Sequence, residues 1–316
     1  MTVVALSGGV GGAKLALGLY RALPPDTLTV VVNTADDFDH LGLRICPDLD
    51  TVLYTLAGLA HPTQGWGRQN ETWTLMRALE SFGADIWFRL GDGDTALHLV
   101  RTENLRHGVP LTDVIREFRT KLRIAAQILP MTDSRVETRV DTDEGELAFQ
   151  DYFVRRRCEP HVRAICFAGA AQAELTSSVR AAFEDSALDA IIVCPSNPYL
   201  SIDPLLSIEP LRAALASRRV PAIAISPLIG GTAVKGPTAK IMRELGIEST
   251  PASIAAHYRD LIDALIVDTS DSAETLGLGM PAYSTSTLMR TLEDRIRLAR
   301  FVLRCAHELR SPRRPT

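Results

Sequence analysis

The sequence predicts an α/β fold: a Rossmann-like, doubly wound, mainly parallel sheet with a largely helical insertion and a β-hairpin. Two observations carry this. Short runs apolar on both faces recur at 2–6 (TVVAL), 28–33 (LTVVVN), 85–90 (DIWFRL), 162–169 (VRAICFAG), 189–196 (DAIIVCPS), 221–228 (PAIAISPL) and 263–270 (DALIVDTS). Segments of helical periodicity separate them, and strands buried on both faces between helices belong to parallel sheets.

The helices fall at about 12–22, 50–59, 70–82, 93–106, 111–122, 174–184, 205–216, 237–245, 252–261 and 287–308, several with Gly or Pro at their ends. Between 50 and 125 helices outnumber strands, which predicts a helix-rich insertion beside the sheet. Residues 134–153 alternate polar and apolar around TDEG, the signal of a β-hairpin. No internal repeat, low-complexity tract or linker interrupts the chain, so residues 1–316 are expected to form a single elaborated α/β domain.

The 316 residues, 46% apolar and 23% charged, suffice for a substantial core. The net charge is −4, and the only basic cluster is Arg155, Arg156 and Arg157. That leaves no footprint for nucleic acid or for an anionic membrane, so any bound anion must be held locally. The cysteines (Cys46, Cys158, Cys166, Cys194, Cys305) are odd in number and form no CxxC pair, which points to free thiols in a reducing compartment. The chain enters a strand at residue 2 with no room for a signal peptide, and no apolar run nears the ~20 residues that span a bilayer. The expected location is the cytoplasm.

In VVALSGGVGGAKLALGL a buried strand runs into Gly8, Gly9, Gly11 and Gly12 and then into a helix carrying Lys14. Glycines let backbone approach a ligand, and a helix N-terminus offers unpaired N–H groups and a positive dipole end, so a phosphate site is expected. The spacing matches neither a P-loop nor the dinucleotide fingerprint. A tight strand-to-helix turn without ligand is the plain alternative.

NTADDFDHLGLRICPDLD follows the second strand and carries five aspartates in 18 positions. In an open parallel sheet, ligands bind beyond the carboxyl ends of the strands, which places this cluster beside the glycine loop. Carboxylates and a phosphate in one crevice repel unless a hard cation bridges them, and Mg²⁺ held by one or two carboxylates plus phosphate oxygens does so. Asp36 and Asp50 are the leading ligands, with Asp37 and Asp48 as alternates. PDLDTV also reads as a helix start, with Asp48 or Asp50 as its cap.

FRLGDGDTALHLVRTENL ends a predicted strand with Arg89 and enters a helix bearing His98 and Arg101. Arg89, Asp92 and Asp94 are candidates for the same crevice. His98 reads first as a packed residue, and Arg101 as a phosphate ligand or the partner of an acid such as Asp94 or Glu103. Two further strand ends add Ser196 and Asn197, then Gly230, Gly231, Thr232, Lys235 and Gly236, small polar groups that suit a nucleoside or sugar–phosphate pocket.

The motifs LSGGVGGAKL, NTADD, RICPDLDTVLYTLAG, GWGRQNETW, WFRLGDGDTALHLVRTENLRHG, LPMTD, CPSNPYLSIDP and SPLIGGTAVKGP, distributed from residue 5 to 237, resemble the CofD/FbiA family. Beyond 238 the likeness is of layout only. The resemblance implies a 2-phospho-L-lactate or phosphoenolpyruvate transferase of coenzyme F420 biosynthesis. Such an enzyme passes the phospho-acid part of a guanosine diphosphate-linked donor to the ribityl hydroxyl of the deazaflavin precursor Fo and releases GMP. It further implies that Asp50 and Arg89, with Asp92 beside them, face Fo; that the aspartates of NTADD and PDLD hold Mg²⁺; and that the glycine loop and SNP face the guanosine diphosphate. A homodimer is implied as well. Gly93 stands where relatives carry a lysine or arginine, which leaves the donor's acid open between lactate, enolpyruvate and glycerate.

Two rival readings exist. A regulatory nucleotide-sugar binding protein of the related gluconeogenesis-factor type shares the glycine loop, the DD pair and SNP, but has no need of the acceptor site that ICPDLDT and WFRLGD suggest. A Rossmann dehydrogenase is disfavoured by the broken glycine spacing and by two aspartates where one acid suffices for a ribose.

Overall fold

A computed structural model describes residues 1–233 and 236–310. Its central sheet has seven strands, in the spatial order Ala282–Ser284, Ala264–Val267, Ala222–Ile225, Leu188–Val193, Thr2–Ser7, Leu28–Val32 and Gln127–Pro130. Every neighbouring pair is parallel. The chain lays strands outward from Thr2–Ser7 to one edge and then returns to build the other half, so the order reverses between Thr2–Ser7 and Leu188–Val193. Ligands of doubly wound sheets bind at such a switch point.

The sheet is buried on both faces, as its Val, Ile, Leu and Ala content requires. Val3, Ala5, Val30, Ile192 and Ile223 face one core with Leu15, Leu19 and Leu298, while Val4, Leu6, Val31, Ile191 and Val193 face the other with Ile202, Leu205 and Ile254. Helix Gly9–Ala22 lies against helix Leu292–Arg310 so closely that a Cβ on Gly18 would stand 2.2 Å from the Arg295 carbonyl oxygen. No helix among the described residues is long and apolar enough to cross a membrane.

Two predicted strands sit elsewhere. DIWFRL has no regular structure, and its apolar residues serve aromatic packing: Phe88 meets Phe38 edge-on with ring centroids 4.8 Å apart, and Trp87 meets His40 at 5.4 Å. Val162–Ala168 joins the hairpin Glu137–Thr142 and Gly145–Ala148 in a separate antiparallel sheet of three strands. Two edge strands gave no sequence signal. Gln127–Pro130 ends in a proline, which an edge tolerates, and Ala282–Ser284 is three residues long. Between Pro47 and Lys121 the chain forms four helices, Pro47–Ala57, Thr74–Ser81, Asp92–Arg106 and Leu111–Lys121. Cys46, Cys194 and Cys305 are buried, Cys158 is partly covered and Cys166 is exposed; all five are free thiols.

Because Gly18 has backbone where its Cβ would be, Gly18→Val is expected to destabilise the fold by about 1–3 kcal/mol through overpacking. A lowered urea midpoint with an unchanged slope is the outcome to measure.

Candidate active site

A cleft of about 710 Å³ opens at the switch point, within the size range of ligand pockets. Its polar lining comes from Gly8, Gly9, Gly11, Lys14, Asp36, Asp48, Asp50, Asp94, His98, Ser196 and Asn197, and its aromatic lining from Tyr54, Trp66, Trp87, Phe88, Phe149 and Phe153.

Asn33 organises the acidic part. It is fully buried at the end of Leu28–Val32, where its N–H donates to the Ser7 carbonyl. Its Nδ2 donates to Asp36 Oδ2 at 2.9 Å and to Asp48 Oδ2 at 3.1 Å, while its Oδ1 accepts the Ala35 N–H. Thr138 of the antiparallel sheet donates to the other Asp36 oxygen at 2.8 Å. Burial, then the neighbouring Asp48, pushes the Asp36 carboxyl well above the ordinary carboxylate range. Burial also raises Asp48 to about 6, against the Gly9 N–H and the Asn33 amide that favour its anion. Two acids side by side under desolvation resist carrying both charges, a penalty that a bound cation would relieve.

Asp50 sits in a different environment. Arg101, fully buried on Asp92–Arg106, grips both its oxygens, through Nη1 at 3.1 Å and through Nη2 in a still closer contact. Burial opposes the guanidinium charge, yet Asp50 and its neighbours outweigh it and hold that charge firmly. His98 Nδ1 lies 3.2 Å from Arg101 Nη1, and its Nε2 lies 3.3 Å from Asp94 Oδ1. Tyr54 donates to the same Asp94 oxygen at 2.6 Å. Arg101 is thus an ion-pair residue whose partner is Asp50 and neither Asp94 nor Glu103. Asp37 is buried 4.0 Å from Arg44, within the electrostatic reach of both groups; burial lifts it to about 7, with Arg44 opposing.

Neither Asp48 nor Asp50 caps its own helix, whose N-cap is Cys46 without a side-chain bond. Asp48 reaches across to accept the Gly9 N–H at the start of the glycine helix. Gly9 has φ +62°, a conformation that favours glycine. The other loop glycines answer to space: a Cβ would stand 2.6 Å from Ser201 Cβ at Gly8, 2.3 Å from the Pro195 carbonyl at Gly11 and 2.3 Å from Ser7 Oγ at Gly12. Ser196 Oγ accepts the Gly8 N–H and donates to the Gly8 carbonyl, tying the two central strand ends together. Asn197 Oδ1 holds the N–H groups of Tyr199 and Leu200, which leaves its buried Nδ2 without a partner at the cleft wall. Lys14 Nζ donates to the Met289 carbonyl at 3.0 Å.

Several expected residues lie outside the lining. Gly12 packs behind the loop. Asp92 accepts from Thr72, Thr74 and Leu75 and clips the 66–75 segment to the helix start. The Gly230 and Gly231 N–H groups are held by Asp271, and Thr232 Oγ1 donates to Ile229. Gly93 has Glu71 where its side chain would begin, with Cβ to Oε1 3.0 Å. Lys235 falls outside the described residues. Arg89 does line the cleft, with its guanidinium 4.8 Å from the Trp73 ring centroid. The sequence reading missed Asn33, Phe149, Gln150, Phe153 and Thr287–Met289, of which only Asn33, a polar residue directly after the three valines of a buried strand, left a signal.

Fold and cleft define a doubly wound α/β protein whose cleft lies across the switch point of its sheet. The family model for 2-phospho-L-lactate transferase CofD matches residues 3–287, and the chain belongs to that family and is a transferase. It is 38% identical to a phosphoenolpyruvate transferase of Streptomyces griseus, over 98% of this chain and 100% of that one. It is also 38% identical to a 2-phospho-L-lactate transferase of Methanosarcina mazei (95% and 99% covered) and 40% identical to one of Methanopyrus kandleri (98% and 99%). A Bacillus halodurans protein of the UPF0052 family shares the fold, with a TM-score of 0.63 at 14% identity over 96% of this chain and 98% of that one.

Removing Arg101 strands the Asp50 charge inside the protein. Arg101→Met is therefore expected to cost about 3–5 kcal/mol, and adding Asp50→Asn to recover part of it. A double-mutant cycle by chemical denaturation reads the coupling.

Proposed function

We propose that the protein transfers a phospho-linked three-carbon acid, 2-phospholactyl or enolpyruvyl phosphate, from a guanosine diphosphate-linked donor to the ribityl hydroxyl of Fo, releasing GMP, in the formation of coenzyme F420. Family membership and the names of its relatives support the class of transfer. The observation that carries the reading is the Asp36–Asp48 pair on Asn33, set against the Gly9 N–H at the switch point and open to the cleft.

Among the described residues no three His, Cys, Asp or Glu form a metal cluster. Mg²⁺ needs no such cluster, since it is commonly held by one or two carboxylates with phosphate oxygens completing its shell. Asp36 and Asp48 would hold it, their mutual repulsion being what a divalent ion relieves; Asp37 and Asp50, each facing an arginine, fit less well. When bound, the ion neutralises diphosphate charge.

The remaining work falls to the chain. The Val10 and Gly11 amides at the start of the glycine helix and the unpartnered Asn197 Nδ2 supply donors for donor oxygens. Trp66, Trp87 and Phe88 give a planar deazaflavin ring apolar surface, and Arg89 offers a cation at the same wall. Asp50, fixed by Arg101, accepts from the ribityl hydroxyl and orients it. The hydroxyl oxygen bonds to the acid-bearing phosphorus as the bond to the GMP oxygen breaks; GMP leaves with the electron pair, and the hydroxyl proton passes through Asp50 to solvent. Positioning and charge neutralisation carry most of such a reaction.

Incubation with Fo, Mg²⁺ and each of three guanosine-linked donors (lactyl, enolpyruvyl, glyceryl), with GMP and product masses measured, is expected to give one preferred product; no GMP from any of them rejects the proposal. Asp48→Asn is expected to lower kcat by about a hundredfold or more, and His98→Ala by less than about tenfold, because no general base is required of it.

A further inference from the structure

The motif GWGRQNETW gives Trp66 and Gly67 to the cleft and ends on Trp73, which lies outside the cleft lining. Trp73 packs against a small apolar cluster of Ile45, Met76 and Leu90 and stays partly exposed. Filling that cluster requires an apolar side chain but not an indole. The indole has a second neighbour: the guanidinium of Arg89 stands 4.8 Å from its ring centroid, well inside the ~6 Å over which an aromatic face attracts a cation.

Arg89 has little else to hold it. It is exposed, lies in a stretch without regular structure, and makes no ion pair among the described residues, although Asp48, Asp50 and Asp94 line the same cleft. A long side chain with that freedom samples many rotamers, so its charge has a fixed place only if a neighbour supplies one. Trp73 is itself clamped from both sides. Asp92, at the start of helix Asp92–Arg106, accepts the Thr72 hydroxyl at 2.5 Å, the Thr74 N–H at 3.1 Å and the Leu75 N–H at 3.0 Å, and its own N–H donates to the Thr72 carbonyl at 2.9 Å. Glu71 completes the clamp by accepting the Gly93 N–H at 2.7 Å.

We propose that Trp73 is a positioning residue for Arg89 and Asp92 a positioning residue for Trp73, so that a carboxylate outside the cleft sets where the cation of its aromatic wall stands. Stacking neutralises no charge and leaves the N–H donors of the guanidinium for a ligand. The inference rests on the proposed function only for what that cation meets, the deazaflavin acceptor. Asp92 then affects acceptor binding from two residues away, without touching the acceptor.

Two measurements test this. In the free protein, the ring current of an indole shifts the Nε–H proton of a stacked arginine upfield. That Arg89 resonance, assigned by its loss in Arg89→Met, is expected upfield in the wild type and in Trp73→Phe, and at the position of an unstacked arginine in Trp73→Leu; Asp92→Ala should move it at least halfway there. A wild-type resonance already at the unstacked position overturns the proposal, whether or not Fo binds. Titration of Fo fluorescence reads the consequence, with circular dichroism checking the fold of each variant. Trp73→Leu and Asp92→Ala are each expected to weaken Fo binding about three- to tenfold, and Trp73→Phe less than about twofold. In an Arg89→Met background neither Trp73→Leu nor Asp92→Ala should weaken it further. In turnover the loss should fall on KM for Fo, with kcat nearly unchanged. Equal losses in both backgrounds show plain packing and overturn the proposal. A wild type that binds no Fo rejects the proposed function instead, and the resonance then decides this inference alone.

Discussion

One buried amide bears on everything at the cleft: Asn33, whose Nδ2 holds the carboxylates of Asp36 and Asp48 at 2.9 and 3.1 Å. Left to themselves two such acids would separate or take up a proton, because burial and mutual repulsion both disfavour the double anion. Asn33 prevents separation by fixing them to one group at the carboxyl end of the strand beside Thr2–Ser7. Thr138 and the Gly9 N–H add donors from the hairpin sheet and the glycine helix. The loop after the second strand, the aspartate helix, the antiparallel sheet and the glycine helix thus meet through hydrogen bonds on two carboxylates. An Asn33→Leu chain would keep the volume and lose the join.

The switch point explains why that join sits at an opening. Strands leave Thr2–Ser7 in both directions, so the loops at its end diverge and the backbone cannot close over them. Ser196 bridges the gap at its narrowest place with two bonds to Gly8. Above that bridge, Gly9, the paired acids and Asn197 line a common space.

Much of this was legible in the sequence, and the gaps have physical causes. Runs such as AIIV and AIAI announce parallel strands because both faces must be apolar. VRAICFAG carries the same signal at an open edge, since composition records that a surface is to be covered and not by what. DIWFRL misled for a related reason: its aromatic residues pack on Phe38 and His40 without any ladder. The aspartates were visible as a cluster, but their division into pairs was not, because Asn33, Arg44 and Arg101 reach them from elements whose placement only the fold supplies. The glycine loop was read as ligand chemistry, while Gly8, Gly11 and Gly12 are equally required by Ser201, Pro195 and Ser7. Thr287–Met289 reach the cleft from beyond a strand too short to register.

On the proposed function, that division of the acids would assign the two halves of the cleft. Asp50 has a full counter-charge within the protein, so it can accept a hydrogen bond as a fixed anion without drawing a cation. Asp36 and Asp48 have only neutral donors, an amide, a hydroxyl and a backbone N–H, which stabilise their charge without cancelling it. Burial and mutual repulsion make the second charge of that pair costly, so a cation entering the cleft is favoured there. A diphosphate would be repelled by them alone and held once a divalent ion lay between. A neutral hydroxyl is indifferent to that field and needs only the directed acceptor that Asp50 presents. On that proposal, donor and acceptor would be sorted within one cavity by which carboxylates the protein has already neutralised.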